Sequence, residues 1–192
     1  HRRNQYVTVS LPSARDLNEL GVDSGRIAVV RNGLDQAPAE TLELARSQTP
    51  RLVVLSRLVP HKQIEDALEA VAALRDEVPD LQLDVLGGGW WQQRLVDHAE
   101  LLGISDLVTF HGHVDDVTKH RVLQQSWVHV LPSRKEGWGL AVTEAAQHGV
   151  AVRHMQRGHR IVGHHVGAAF ERSARARHVT GVEQGERFVE KG

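Results

Sequence analysis

Two carboxylates, Glu136 and Glu144, stand eight positions apart in the segment Pro132-Ser133-Arg134-Lys135-Glu136-Gly137-Trp138-Gly139-Leu140-Ala141-Val142-Thr143-Glu144. The segment follows a short apolar run and opens a helix-like one. A helix start attracts anions, because its first N–H groups have no intrahelical acceptor and its dipole is positive there. Phosphate can sit on the amides of the glycine-flanked turn while the two carboxylates accept hydrogen bonds from nearby hydroxyls. A ligand with both phosphates and hydroxyls, such as a nucleotide sugar, satisfies both features. The rival chemistry is an acid/base pair flanking a glycosidic bond; the plainest alternative is one solvated acid and one helix-surface Glu. At about 1.5 Å rise per residue, Glu144 falls one to two turns into the helix, better placed for a ribose than for a bond being broken.

Arg57 and Lys62 lie in one loop, five positions apart, so both can turn toward one crevice. Arg presents a planar fork to phosphate oxygens and Lys a compact point charge, a division of labour suited to a diphosphate. Taken alone, they read equally well as surface cations. Gly87-Gly88-Gly89 follows another apolar run, but the third glycine of a dinucleotide fingerprint would fall on Gln92, which weighs against NAD. The glycines then serve a tight turn with room for a ligand to approach. Trp90 and Trp91 fit either half-buried packing or an acceptor-side surface. His111 and His113 alternate along a strand end and have no ligand partner at metal-binding spacing. His154, His159, His164 and His165 invite a zinc site, but the helical spacing is absent and Arg153, Arg157 and Arg160 would repel a cation. No metal is expected.

Positioning these loops requires alternating strands and helices, hence a parallel sheet wrapped by helices. Strands are expected over Tyr6 to Ser10, Ile27 to Val30, Leu52 to Ser56, Leu81 to Leu86, Leu107 to Phe110 and Val128 to Leu131. Apolar residues at helical spacing predict helices over Ile64 to Val78, Leu95 to Leu102, Val117 to Leu123 and Leu140 to His148. The chemistry-bearing loops then all follow strands, at the edge where open α/β sheets bind ligands.

The 192 residues suffice for one domain and a piece of another. A formal charge of −1 points to neither nucleic acid nor a membrane surface. The absence of cysteine rules out disulfides and thiolate chemistry and is compatible with a reducing cytoplasm. No apolar run approaches the ~20 residues of a membrane helix. The start lacks a signal-peptide core and reads as the interior of a larger protein. Residues 153–192 carry eight basic and four acidic residues and no Leu, whereas the upstream chain has fifteen basic against twenty acidic. They also lack apolar periodicity. They are expected to be a disordered tail or one foreign to the fold, the product of a shifted reading frame.

The Glu136 to Glu144 segment resembles the Glu-x7-Glu motif of retaining glycosyltransferases of GT-B architecture, family 4. The resemblance extends to Val30-Arg31-Asn32-Gly33-Leu34-Asp35, Ser56-Arg57-Leu58-Val59-Pro60-His61-Lys62, Leu86-Gly87-Gly88-Gly89 and Phe110-His111-Gly112-His113-Val114, in the family's order, over roughly residues 5 to 152. It implies an α/β fold, the Rossmann-like parallel sheet of the C-terminal, donor-binding half of a GT-B fold. Residues 1–36 would end the acceptor-binding domain, 37–50 connect, 51–152 form the nucleotide-sugar domain, and 153–192 form the atypical tail.

By the same resemblance, Arg57 and Lys62 hold the donor's diphosphate and offset the charge growing on it. Glu136 contacts hydroxyls of the transferred sugar near the reaction centre, and Glu144 accepts from the ribose. The amides of Gly137, Trp138, Gly139 and Leu140 serve the sugar and phosphates, while Gly89 and the backbone at His113 and Val114 complete the donor site. Trp138 stands where the family usually has Phe. The donor would be a UDP- or GDP-linked sugar and no cofactor would be required. The acceptor, whether glycan, lipid or small molecule, is not specified. Same-face displacement and a covalent intermediate both stay open, as does a non-catalytic binding module or an inactive truncated product. The expected location is the cytoplasm or the membrane's inner face, with any peripheral membrane contact made by the missing N-terminal domain.

Overall fold

The computed structural model describes residues 4–78, 80–133 and 139–155. A small unit comes first. Strands β1 (Tyr6–Thr8) and β2 (Ile27–Val29) pair in parallel around helix α1 (Leu11–Glu19). The sequence reading did not include α1, although its signals are present. Ser10 caps it, its hydroxyl accepting from the Ser13 N–H at 3.3 Å, and Pro12 lies in the first turn, where a missing N–H costs nothing.

The main unit is a five-stranded sheet of β3 (Arg51–Leu55), β4 (Gln82–Leu86), β5 (Val108–Gly112), β6 (Val128–Leu131) and β7 (Ala151–His154). All pairings are parallel and the order is β5-β4-β3-β6-β7. The chain begins in the middle, winds outward through β4 and β5, then returns to the other side of β3. The order therefore reverses between β3 and β6, and a sheet of this kind opens a ligand crevice at that point. The apolar runs of β3, β4 and β6 are buried on both faces, as a helix-covered parallel sheet demands.

Helices α3 (Ile64–Leu74), α4 (Gln92–Leu101), α5 (Asp116–Gln125) and α6 (Leu140–Gln147) cover it. Ile64, Ala67, Leu68, Val71 and Leu74 form the buried stripe of α3 and pack with Leu52, Val54, Leu83 and Val85 in the larger core. Full burial of each such Leu or Val side chain contributes about 1.5–3 kcal/mol. On the other face Val53 and Leu86 meet Val122 and Leu123 of α5 and Ala145 of α6. Helix α3 ends four residues before the expected Val78, and beyond it the Glu77 and Val78 N–H groups both turn back to the Leu74 carbonyl, at 3.0 and 2.8 Å.

Two features change the expected organisation. The stretch expected to connect contains a short helix, α2 (Ala39–Leu42), and is bonded to the domain beside it. The Gln124 amide donates to the Leu44 carbonyl at 2.9 Å, the Trp127 indole to the Ser47 carbonyl at 2.8 Å, and the Arg46 guanidinium to the His148 carbonyl at 2.6 Å. Strand β7, in turn, runs through the boundary set at 152. Arg153 and His154 pair with Val130 and Leu131, and Met155 is buried with its N–H on the Leu131 carbonyl at 2.9 Å. Residues 156–192, the rest of the expected tail, lie outside the described residues.

Candidate functional site

Because the strands are parallel, the segments after β3, β4, β5 and β6 emerge at one edge. The first three are joined by backbone hydrogen bonds: the Leu58 N–H donates to the Gly88 carbonyl at 3.0 Å, and the Gly87 N–H to the Gly112 carbonyl at 2.8 Å. The glycines make this contact possible. A Cβ on Gly87, whose φ is +119°, would lie 2.0 Å from the Ser56 carbonyl oxygen, and one on Gly89 would lie 2.1 Å from that of Leu58. No rotamer relieves a backbone clash of this kind, so the space that Gly87 and Gly89 leave open is taken by the β3 loop itself.

That loop carries Arg57, exposed, and Lys62, half-buried at the end of a single 3-10 turn over Pro60–Lys62. His113, exposed, and Val114, half-buried, form the step between β5 and α5. Val114 packs on the second core cluster. Helix α5 then starts at Asp115, whose carboxylate accepts from the Thr118 N–H at 2.7 Å and is held below its ordinary pKa, chiefly by that bond. On the far side of the order reversal, Gly139 opens α6 in the left-handed region with φ of +77°, and Leu140 is the first helical residue. Glu136, Gly137 and Trp138 lie outside the described residues.

Glu144 is drawn to a second centre. A cavity of about 200 Å³ lies between the segment 33–38 and helices α5 and α6, lined by Leu34, Asp35, Asp116, Lys119, Leu140 and Glu144 among others. Within it the Lys119 ammonium donates to Glu144 Oε1 at 2.6 Å and to Asp116 Oδ1 at 2.8 Å. Burial works against the charge on Lys119, but bonds to Asp116 and Glu144 outweigh it and raise its pKa. Neither Arg57 nor Lys62 lines this cavity. Asp116 and Lys119 stand three apart on one helix, a pair the sequence displays, but nothing in the sequence ties Lys119 to Glu144.

The remaining candidates fall to structural roles. His111 Nε2 meets the buried Asp84 carboxylate at 2.7 Å, with Arg51 3.4 Å from its other oxygen. His154 Nε2 lies 3.1 Å from the Ser133 carbonyl oxygen. Trp91 packs on the core with its indole donating to Glu65 at 2.5 Å and Arg94 over its ring, whereas Trp90 is exposed. Among the described residues no group of three or more His, Asp or Glu side chains is arranged to hold a metal ion, and no helix is long and apolar enough to cross a membrane.

A five-stranded parallel sheet of this order, covered by helices on both faces, is a Rossmann-like α/β domain. The family described as Glycosyl transferases group 1 matches residues 41–160, more than half of the chain. The chain belongs to that family. The glycogen synthase of Mycobacterium tuberculosis (strain ATCC 25618 / H37Rv) is 32% identical over 148 residues, covering 76% of this chain and 36% of the relative. The GDP-mannose-dependent alpha-(1-6)-phosphatidylinositol monomannoside mannosyltransferase of the same strain is 34% identical over 128 residues, 60% of this chain and 33% of its own length. The chain thus spans about a third of these curated relatives.

Among solved structures, WaaG, a glycosyltransferase involved in lipopolysaccharide biosynthesis, superposes with a TM-score of 0.73 at 15% identity, covering 85% of this chain and 52% of that one. Anabaena Alr3699/HepE in complex with UDP gives 0.69 at 16%, covering 88% and 53%. At these identities the likeness is one of fold, that of the GT-B glycosyltransferases. The family match also passes the expected boundary at 152, in keeping with β7.

Proposed function

We propose that this chain is the donor-binding half of a retaining glycosyltransferase. It takes a sugar from a UDP- or GDP-linked donor to an acceptor hydroxyl, with no metal required. The observation that carries the reading is the placement of Glu144 in a cavity on the first turns of α6, directly behind the Gly139 turn at the sheet's order reversal. Ribose hydroxyls are suited to the carboxylate, and the diphosphate to the α6 amides and the cations of the β3 loop. As the bond from the anomeric carbon to the diphosphate breaks, negative charge grows on the leaving group, and Arg57 and Lys62 offset it. Well-placed donors to developing charge contribute about 3–4 kcal/mol each. Glu136, on the loop before α6, is assigned to the hydroxyls of the transferred sugar, with the amides of Gly137 and Trp138 beside it; Gly89, His113 and Val114 complete the donor site.

Two comparisons support the donor class. A similar fold is known with UDP bound, and one relative is named for its dependence on GDP-mannose. Family membership favours the transferase over a non-catalytic module. We place catalysis in the whole protein, with this portion alone inactive, the acceptor held by the upstream half, and the reaction at the cytoplasmic side. Calorimetry with UDP, GDP and glucose tests the donor site: one nucleotide should bind well ahead of the free sugar. Glu144→Gln should weaken nucleotide binding about tenfold, the size of a hydrogen bond to a charged group, while Glu136→Gln should leave it nearly unchanged and slow transfer in the whole enzyme. Equal, weak signals for nucleotide and glucose would overturn the reading.

A further inference from the structure

We infer that Lys119 is a positioning residue for nucleotide binding: it clamps the Glu144 carboxylate in the orientation that receives the ribose hydroxyls. The inference deepens the proposed function and rests on it. The ammonium is fixed from two sides, at 2.6 Å from Glu144 Oε1 and 2.8 Å from Asp116 Oδ1. Asp116 is 80% exposed in its side chain, whereas Lys119 and Glu144 are only 17% and 18% exposed. This sets the pair apart from a surface salt bridge, where solvent and side-chain freedom cancel most of the gain.

A Glu side chain has three rotatable torsions, and on an open helix face it samples many positions. Here one carboxylate oxygen is occupied by the ammonium. A carboxylate offers about four acceptor sites on two oxygens, so Oε2 and part of Oε1 stay available to the cavity. A neighbouring hydroxyl pair meets an acceptor already in place, and binding loses less freedom. Helix geometry explains why these residues can do this. Asp116 and Lys119 are neighbours one turn apart on α5, and α5 packs beside α6 through Val122, Leu123 and Ala145 of the second core cluster.

The test compares UDP, 2′-deoxy-UDP and 3′-deoxy-UDP by calorimetry, with the matching GDP series, in the wild-type chain and in Lys119→Met, Lys119→Arg and Glu144→Gln. Met keeps the aliphatic stem of Lys119, and Arg also keeps its charge. In the wild type, loss of a ribose hydroxyl should weaken binding about tenfold. That penalty should disappear in Glu144→Gln, fall below about threefold in Lys119→Met, and return in Lys119→Arg. Pyrophosphate binding should be unchanged in Lys119→Met, because Arg57 and Lys62 do not line this cavity.

A penalty lost in Glu144→Gln but kept in Lys119→Met overturns the inference and leaves the donor site standing. Tighter nucleotide binding in Lys119→Met also overturns it, since Lys119 would then compete with the ribose. Should Lys119→Met fail to fold, Lys119→Gln takes its place: a penalty lost there without loss of thermal stability supports the clamp, and a penalty unchanged there, with Glu144→Gln sensitive, counts against it. No hydroxyl penalty in the wild type would remove both the inference and the ribose reading.

Discussion

His120 Nδ1 lies 2.7 Å from Nε2 of His148, and the proton between them has a defined owner. The Gln124 amide nitrogen donates to the Leu44 carbonyl, so its oxygen faces His148 Nδ1, 2.7 Å away. That nitrogen must then carry the hydrogen, which leaves His148 Nε2 as an acceptor and makes His120 Nδ1 the donor. The chain works with both rings neutral. Burial is the main cause, and it holds His148 down to about 4, helped by His120 and Arg46, and also lowers His120, helped by Lys119 against the opposing pull of Glu144 and Asp116.

A pH dependence follows. Both histidines have a lower pKa folded than unfolded, so between about 6.5 and 4 the unfolded chain binds more protons and stability falls with falling pH. Thermal melts should lose several degrees from pH 7 to pH 5, and His148→Gln, although less stable at pH 7, should show a shallower slope. An equal slope in the variant would place the effect elsewhere.

The β3 loop supplies a second prediction. Gly89→Ala brings a Cβ to 2.1 Å from the Leu58 carbonyl oxygen, whereas Gly88→Ala meets nothing within 4 Å. Urea denaturation should show Gly89→Ala destabilised by about 1–3 kcal/mol, and Gly88→Ala unchanged within about 0.5 kcal/mol. Two adjacent glycines would thus differ in their tolerance of one methyl group.

Arg57→Ala and Lys62→Ala should each weaken pyrophosphate and nucleoside diphosphate binding to this chain. In the whole enzyme they should lower kcat more than they raise the donor KM, because charge on the leaving group is greatest in the transition state. Steady-state kinetics with kcat unchanged in both would remove these residues from the reaction.

Trp127→Phe removes the indole donor to the Ser47 carbonyl while keeping a large ring in the core. A cost of about 1 kcal/mol is expected, with faster amide exchange across residues 39–47 than in the wild type. Exchange unchanged there would mean that the other bonds suffice to hold the connector.

The residues show what a sequence can and cannot display. The stripe of α3 is readable because its burial repeats with the helical period, and the strands β3, β4 and β6 because they are short, mainly apolar runs buried on both faces. Helix α2 has four residues, and the chain that follows it is held by Gln124, Trp127 and His148, none of them local to it. Strand β7 contains Arg153 and His154, whose polarity hides an edge position stabilised by pairing with β6. At the site, Glu144 was legible from motif spacing. Its partner was not, because nothing in the order of residues says that α5 lies against α6.

The residues that lead into the connector are anchored at both ends. The Val30 N–H is bonded to the Thr8 carbonyl of the small unit, and the Asp35 carbonyl receives the Gln147 amide from α6. Between these anchors stand four residues, Arg31, Asn32, Gly33 and Leu34. That short stretch carries the chain from the small unit to the sheet, and Gly33 and Leu34 within it are also walls of the cavity that holds Glu144. The link and the cavity wall are thus one piece of backbone, and its course sets the shape of the pocket.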